Sequence, residues 1–342
     1  MPRFLPAAVL ASLCVLLLLR SGDVRSANIG DGNPDIKLRP PTKRRDLGTV
    51  PCSHLQKRVT GRISNQPRDA MAVFQLLRDA NDDSTLKLFE VLPDEFMWWM
   101  RSLGEVSMFS LGVATHETAH AFWDIAYRCG SPLQYYFRGS GWPVERALTW
   151  TANYSIVAAG IPRQFKQARP GNRYQHYIEG SREHFANDLS VLLSELNAYV
   201  ETANLEIKLA RTKLFPSHRP DGPISINSNV GGSADFMLFT LAYLHALKST
   251  DPDGFQALKG LPLFQAHLQR LWTSSEEMLC RASAYSDRAG GVLSIPSDAL
   301  SHIYQSGFAS ILHDLNVKYA AEDSCLRFYW TSAPAKPALL TK

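Results

Sequence analysis

Apolar side chains recur at helical spacing through most of the chain from residue 66 onward. Ala70, Val73 and Leu77 fall on one face of a helix, because side chains three, four and seven residues apart share a face. Pro93, followed by two acidic residues, is typical of a helix start, where a fixed φ angle and negative charge are favoured. Strand-like patterns are scarce. The pattern therefore predicts a mainly α fold with at most a small β-sheet.

Helix start signals, helix stop signals and turn residues set the expected boundaries of these elements. A short strand is expected over 134–137, a turn over 139–143, and a loop over 216–232 that ends where Ser233 caps the next helix. The main helices expected further along the chain are 106–127 with a stop near Gly130, 144–159, 181–214, 233–247, 262–284 and 297–318.

The first 26 residues have the composition of a secretory signal. Arg3 precedes an apolar run over residues 5–19 that contains no charge, and Arg20 ends the run. This run is shorter than the roughly 20 residues that a membrane-spanning helix needs, and Ser26 closes a stretch suited to cleavage. We therefore expect residues 1–26 to be removed and the mature chain, without a stable membrane span, to be secreted or periplasmic. An uncleaved anchor is the alternative.

The composition changes again after the predicted signal. Residues 27–65 are rich in glycine, proline and basic side chains, which is typical of a flexible, extended segment. Within them, Lys43-Arg44-Arg45 is either part of this linker or a processing site for a short pro-segment. Residues 66–330 form the predicted helical domain, and the Pro/Ala-rich residues 331–342 are expected to be a disordered tail.

Charge and cysteine content narrow the class of protein. The chain has 342 residues, a net charge of +4 and no long basic face, so nucleic-acid binding is not expected. Once the signal is removed, four cysteines remain, namely Cys52, Cys129, Cys280 and Cys325. An even number of cysteines in an exported chain predicts two disulfides, and three pairings are open.

The candidate chemistry lies at His116-Glu117-Thr118-Ala119-His120, an H-E-x-x-H pentapeptide that follows a mostly apolar stretch. Two histidines four residues apart on a helix project from one face, so both imidazoles can bind one metal ion while Glu117 points at its open position. Zinc held in this way activates water for hydrolysis at neutral pH. Glu117 would take the proton of that water and later deliver it to the leaving amine. The motif therefore predicts a Zn²⁺ site with Glu117 as the catalytic acid and base.

A third metal ligand is required, because zinc hydrolases use three protein ligands and keep one position open. No H-x-x-G-x-x-H continuation follows His120, which makes a glutamate on a later helix the alternative. We expect this ligand to be Glu183, in the first turn of the long predicted helix, with Asn187 on the same face as a hydrogen-bond acceptor for a ligand histidine. Glu179 and Glu145 remain open as alternatives.

The H-E-x-x-H motif followed by a glutamate on a later helix resembles the gluzincin type of zincin metallopeptidase. The segment from Tyr177 to Asn187 is similar to the second metal-binding segment of lethal-factor-like peptidases, in which a tyrosine precedes the glutamate. The resemblance implies a zincin-like domain, Zn²⁺ as the cofactor and Tyr177 as a hydrogen-bond donor to the oxyanion. It also places Asp124 at an acidic position that follows the motif in such enzymes.

These features predict an exported zinc-dependent metallopeptidase that acts on a protein or peptide substrate. Two other readings remain open. In the first alternative, the chain is an exported helical binding protein with a structural zinc or none. In the second, it is a zinc amidase that acts on cell-wall peptides. Metal content separates the first alternative from the enzyme, and a cleavage profile separates the second.

Overall fold

The computed structural model describes residues 68–128, 133–137, 141–145, 154–166, 173–179, 189–212, 221–288, 291, 293, 296–304, 306–319 and 325–326. Within these ranges the chain is mainly α-helical, which confirms the predicted fold class, and its two strands pair in one small sheet. The elements are α1 Arg68–Asp79, α2 Asp83–Val91, α3 Pro93–Leu103, α4 Met108–Arg128, β1 Leu133–Phe137, β2 Gly141–Glu145, α5 Tyr154–Gly160, α6 Arg163–Lys166, a π-helix Tyr174–Glu179, α7 Leu189–Leu209, α8 Asp221–Thr250, α9 Pro252–Lys259, α10 Pro262–Arg288, α11 Ser297–Ile303 and α12 Ser306–Asp314.

Cα neighbours group the chain into two compact units. The first contains α1 to α4, β1, the part of α7 from Glu201 onward and the start of α8. In its core the rings of Phe89 and Phe96 meet edge to face with centroids 5.3 Å apart, and both side chains are fully buried. Two hydrogen bonds of 3.0 Å join the guanidinium of Arg101 on α3 to the carboxylate of Asp69 on α1. The bidentate pairing fixes the positions of these helices through geometry as well as charge.

The C-terminal half of α7 is bonded to the start of α2 within the first unit. The hydroxyl of Ser84 donates to the carboxylate of Glu201 at 2.6 Å, and Lys208 forms an ion pair with the buried Asp82 at 2.7 Å. Because buried carboxylates are costly without partners, these bonds define where α7 lies in this unit.

The second unit contains α5, α6, the π-helix, α7 as far as Val200, α8 from Ile226, and α9 to α12. Its largest fully buried side chains include Trp272, Tyr243 and Phe264. A disulfide joins Cys280 on α10 to Cys325.

That disulfide is one of the pairs left open by the sequence. Cys52 and Cys129 lie outside the described residues, so the second predicted disulfide stays a prediction. The predicted segments 1–26, 27–65 and 331–342 also lie outside the described residues and stay predictions. The single helical domain over 66–330 stays a prediction as well.

Helices with a strict apolar period begin and end close to their predicted positions. Helix α4 covers Met108–Arg128, against a prediction of 106–127, and β1 covers Leu133–Phe137, against 134–137. Helix α3 begins at Pro93, from which its start was predicted, and α10 begins at Pro262, the first residue of the range predicted for it.

The elements predicted directly after β1, and the helix predicted near the C-terminus, have the wrong boundaries. Residues 141–145 form β2, so they do not belong to the predicted turn over 139–143 or to the predicted helix from Val144. Here pairing with β1 overrides the local turn signals. The helix predicted over 297–318 is two helices, and Tyr304 is the C-cap of the first.

The loop predicted over 216–232 is also wrong, because α8 begins at Asp221 and continues through Gly231 and Gly232. Within this helix the missing side chain of Gly232 leaves room for two neighbours, the ring of Tyr199 and the Nε atom of Arg173. Tertiary packing therefore outweighs the low helix propensity of glycine at this position.

The half-buried guanidinium of Arg173 contacts several residues beside Gly232. It donates to the carboxylate of Asp235 at 3.2 Å and to the carbonyl oxygen of Ser228 at 2.6 Å, and its Cζ lies 4.8 Å from the ring centroid of Tyr199. Burial opposes the charge of Arg173, but its interactions with Tyr199 and Asp235 outweigh burial and raise its pKa. These contacts join the residue before the π-helix to α7 and α8.

Helix α8 also has the length and apolar composition of a membrane span over Gly222–Thr250, and 83% of its most apolar stretch is buried inside the protein. A buried core helix has the same composition, so the apolar character of α8 is accounted for by its packing.

We expect Gly232→Ala to lower the free energy of unfolding by about 1–3 kcal/mol, the usual cost of overpacking. The added Cβ would clash with the ring of Tyr199 and lie 2.9 Å from Nε of Arg173. Gly231→Ala is the matched control, since no heavy atom lies within 4 Å of its added Cβ, and it should be neutral or stabilise by up to about 1 kcal/mol. Urea unfolding followed by circular dichroism measures both. Equal effects of the two substitutions would contradict this account of α8.

Candidate metal centre

Two imidazoles of α4 converge on one point. The Nε2 atoms of His116 and His120 lie 3.1 Å apart, their ring centroids lie 4.8 Å apart, and both side chains are half-buried. Two nitrogen ligands about 2.0–2.1 Å from a tetrahedral metal ion are themselves about 3.3 Å apart. The observed separation of the two nitrogens therefore suits two bonds to one ion.

Glu195, on α7, adds a carboxylate to this pair. One oxygen of Glu195 and one nitrogen of each of His116 and His120 all lie within 4.8 Å of one another. Glu195 is buried, with 7% of its surface exposed. These three residues could bind a metal ion, because imidazole and carboxylate are ligand types that zinc and other transition metals accept. The upper limit of 4.8 Å exceeds the usual separation of two ligand atoms, so an ion would draw the three groups closer together.

The packing of α7 against α4 brings Glu195 to this level. The hydroxyl of Thr202 donates to the carbonyl oxygen of Gly112 at 3.4 Å, and Gly112 lies one turn before His116. Glu195 lies seven residues, or two turns, before Thr202, so both project from the same face of α7. Because Thr202 meets Gly112 while Glu195 meets His116 and His120, residue numbers rise along α4 as they fall along α7. The helices are antiparallel, and this direction carries Glu195 toward the histidines.

Glu117 and Asp124 belong to the same helix as the two histidines. Both side chains are half-buried. Glu117 follows His116 directly, so it projects about 100° around the helix from that histidine. Asp124 lies one turn after His120 and shares its face. Their predicted roles, as catalytic acid and base and as an acidic neighbour of the site, stay predictions.

Tyr177 lies on the π-helix, a type of turn that is frequent at functional sites. Its side chain is buried. The centroid of its ring lies 4.9 Å from the ring centroid of Phe236 and 4.7 Å from that of His176. Burial lowers the pKa of His176, and the negative charge of Glu195 opposes that change. The π-helix therefore presents a histidine to the electrostatic field of the candidate ligand Glu195, and the predicted oxyanion role of Tyr177 stays a prediction.

The predicted third ligand Glu183 and its neighbour Asn187 lie outside the described residues, as does the side chain of Glu145. Their assignments therefore stay predictions. Glu179 is exposed at the end of the π-helix.

Sequence reasoning missed Glu195, although one signal could have found it. Leu192, Glu195 and Thr202 occupy a stripe with spacings of three and seven residues, and all three are buried. An acidic residue at a core position of an apolar helix is uncommon. It indicates a buried partner, whereas the three ligands predicted from the sequence, Glu183, Glu179 and Glu145, all precede α7 in the chain.

No family model, curated protein or solved structure matches the chain. The function is therefore inferred from the chemistry of the described residues and from the motif itself.

We expect the purified protein to bind one divalent metal ion per chain, and we expect His116→Ala and Glu195→Gln each to weaken binding by at least about 100-fold. This exceeds the tenfold to hundredfold loss typical when only a partner of a ligand is removed. Titration with Zn²⁺ and Co²⁺ against a chelator measures the dissociation constants.

Glu201→Gln is the matched control, since Glu201 is also buried on α7 but accepts a hydrogen bond from Ser84. It should leave the dissociation constant unchanged. Glu183→Gln tests the other candidate ligand. Weaker binding in Glu183→Gln together with normal binding in Glu195→Gln would assign the third ligand to Glu183.

Proposed function

We propose that the chain is a zinc-dependent metallopeptidase in which His116, His120 and Glu195 hold the metal. The observation that supports this proposal is the convergence of two imidazoles of an H-E-x-x-H helix on the buried carboxylate of a second helix. Two histidines and a glutamate are a ligand set used by zinc hydrolases, which keep a fourth position open. When bound, zinc would polarise the scissile carbonyl and activate a water molecule.

Burial of Glu195 supports its choice as the third ligand. An ionised carboxylate is costly to bury unless a cation or several hydrogen bonds compensate. A divalent ion at the imidazole nitrogens would supply positive charge within reach of the carboxylate oxygen. Glu183 is retained as the alternative ligand, and the binding measurements above distinguish the two.

Glu117 supplies the proton transfers in this proposal. Its carboxylate, next to His116 on α4, would accept a proton from the attacking water. It would then donate that proton to the nitrogen of the leaving amine as the peptide bond breaks. One carboxyl group can serve both steps. It gains a proton in the first and loses it in the second, so it ends each turnover in the ionised form in which it began.

Tyr177 and Asp124 have supporting roles in the proposal. The hydroxyl of Tyr177 would donate a hydrogen bond to the oxyanion that develops on the substrate carbonyl. The edge-to-face contact of its ring with Phe236 restricts the motion of that hydroxyl, which favours a preorganised donor. Asp124, one turn after His120 on the same face, would orient the second imidazole.

We further propose that the enzyme belongs to the zincin superfamily and works outside the cytoplasm, in secreted or periplasmic form. The H-E-x-x-H pentapeptide supports the first statement, and the apolar run over residues 5–19 supports the second. We expect the N-terminus of the mature protein, measured by mass spectrometry after expression in an exporting host, to begin after Ser26. A mature protein that retains residues 1–26 would contradict the predicted signal cleavage.

We expect Glu117→Gln to lower the hydrolysis rate by about 10²–10⁴-fold, the usual contribution of a general acid and base, while one zinc remains bound. A fluorogenic peptide library measures cleavage, and metal analysis of the same preparation measures zinc. Glu105→Gln is the control, because Glu105 is an exposed residue just before α4, and it should cleave at the normal rate.

Each outcome separates the candidate functions. Zinc binding without cleavage of any peptide by the normal protein would favour the helical binding protein with a structural metal. Cleavage confined to cell-wall peptides would favour the zinc amidase. Unchanged cleavage in Glu117→Gln would remove the assignment of the acid and base.

A further inference from the structure

Helix α4 approaches α7 most closely at Gly112, one turn before His116. A Cβ added to Gly112 would lie 2.5 Å from Oε1 of Glu206 and 3.2 Å from the Cγ2 methyl of Thr202. Real Cβ atoms essentially never approach another heavy atom as closely as 2.5 Å. An alanine here would require the carboxylate of Glu206 to move and the methyl group of Thr202 to shift by a few tenths of an ångström, whereas glycine fits the observed spacing as it stands.

The carboxylate that faces Gly112 is fully buried. Glu206 has no exposed surface, and the hydroxyl of Ser225 donates to its Oε1 at 2.5 Å. Burying a carboxylate is costly even when it is hydrogen-bonded, so an apolar residue would stabilise this contact more simply. Buried polar groups are best documented as devices that select one register between two helices.

The same face of α7 carries the proposed metal ligand. Glu195 lies eleven residues before Glu206, or close to three full turns, and Thr202 lies between them on that face. Gly112, His116 and His120 are spaced four residues apart on α4. The contact at Gly112 and the metal group therefore lie at two levels of one antiparallel helix pair.

We propose that Gly112 and Glu206 are positioning residues that set the spacing and register of α7 on α4, and thereby hold Glu195 at the level of His116 and His120. The proposal rests on the proposed metal site. A slip of one turn would move Glu195 by about 5.4 Å along α4, whereas metal–ligand bonds tolerate errors of only about 0.2 Å. A shift of α7 at Gly112 would therefore move Glu195 relative to His116 and His120 and weaken the metal site.

The test is the zinc dissociation constant of the purified full chain in four forms, namely the normal protein, Gly112→Ala, Gly112→Ala with Glu206→Asp, and Gly112→Ala with Glu206→Gln. We expect Gly112→Ala to bind zinc on the order of tenfold to hundredfold more weakly. Asp is one methylene shorter than Glu, so Glu206→Asp makes room for the added methyl group and should restore most of the affinity. Glu206→Gln has the same length as Glu and should not restore it.

Gly231→Ala is the matched control for adding a methyl group to a helical glycine, because nothing lies within 4 Å of its added Cβ. It should bind zinc normally. Circular dichroism and thermal unfolding of each metal-free variant separate a local shift from loss of the fold. If Gly112→Ala fails to fold, the double variant with Glu206→Asp carries the test, and it must fold and bind zinc.

Normal zinc affinity in folded Gly112→Ala, or equal rescue by Glu206→Asp and Glu206→Gln, would overturn the positioning role while leaving the proposed function intact. The expected pattern of affinities in a protein that cleaves no peptide would support the positioning role and contradict the peptidase. A normal protein that binds no zinc would overturn both.

Discussion

The packing of α7 against α4 is the constraint on which the whole proposed centre depends. The two histidines need only a helix to face the same side, because residues four apart are neighbours on a helix surface. Local structure does not fix the position of the Glu195 carboxylate, because Glu195 belongs to another helix and follows His120 by 75 residues in the chain. Its place depends on the contact of Thr202 and Glu206 with Gly112, and therefore on the absence of one side chain.

Helix α7 buries three carboxylates, and one of them has surroundings different from those of the other two. Glu201 accepts a hydrogen bond from Ser84, and Glu206 accepts one from Ser225. A hydrogen bond from a neutral hydroxyl offsets part of the desolvation cost of an ionised group. Glu195 instead faces two imidazoles, where a positive charge can be held by a metal ion. Of the three, Glu195 is the one that the described residues place beside two ligand nitrogens, and this is why it is the carboxylate proposed to bind the metal.

The sequence predicts the elements whose signals are local and fails where tertiary contacts decide. The observed ends of α4 lie within two residues of the predicted ends, because its apolar period and the stop near Gly130 both belong to one continuous segment. Gly231 and Gly232 indicate a break by propensity, yet α8 continues because Tyr199 and Arg173 fill the space beside Gly232. No local pattern carries that information, since the residues that fill the space come from other segments.

The candidate site shows the same division. His116, Glu117 and His120 are readable from five residues, whereas Glu195 is recognisable only as an acid in an apolar stripe, and its partner helix is not specified by that stripe. An accidental H-E-x-x-H on a helix surface would leave its histidines exposed and would have no reason to meet a buried carboxylate.

A buried carboxylate beside two imidazoles is a place where a cation would offset the cost of burial. Metal ligation needs ring nitrogens that act as acceptors, so a divalent ion held by His116, His120 and Glu195 would leave this group with a net charge of +1. A net positive charge favours the ionised form of a bound water. The same ligand set that would compensate the buried carboxylate would therefore also suit the hydrolysis proposed for the site.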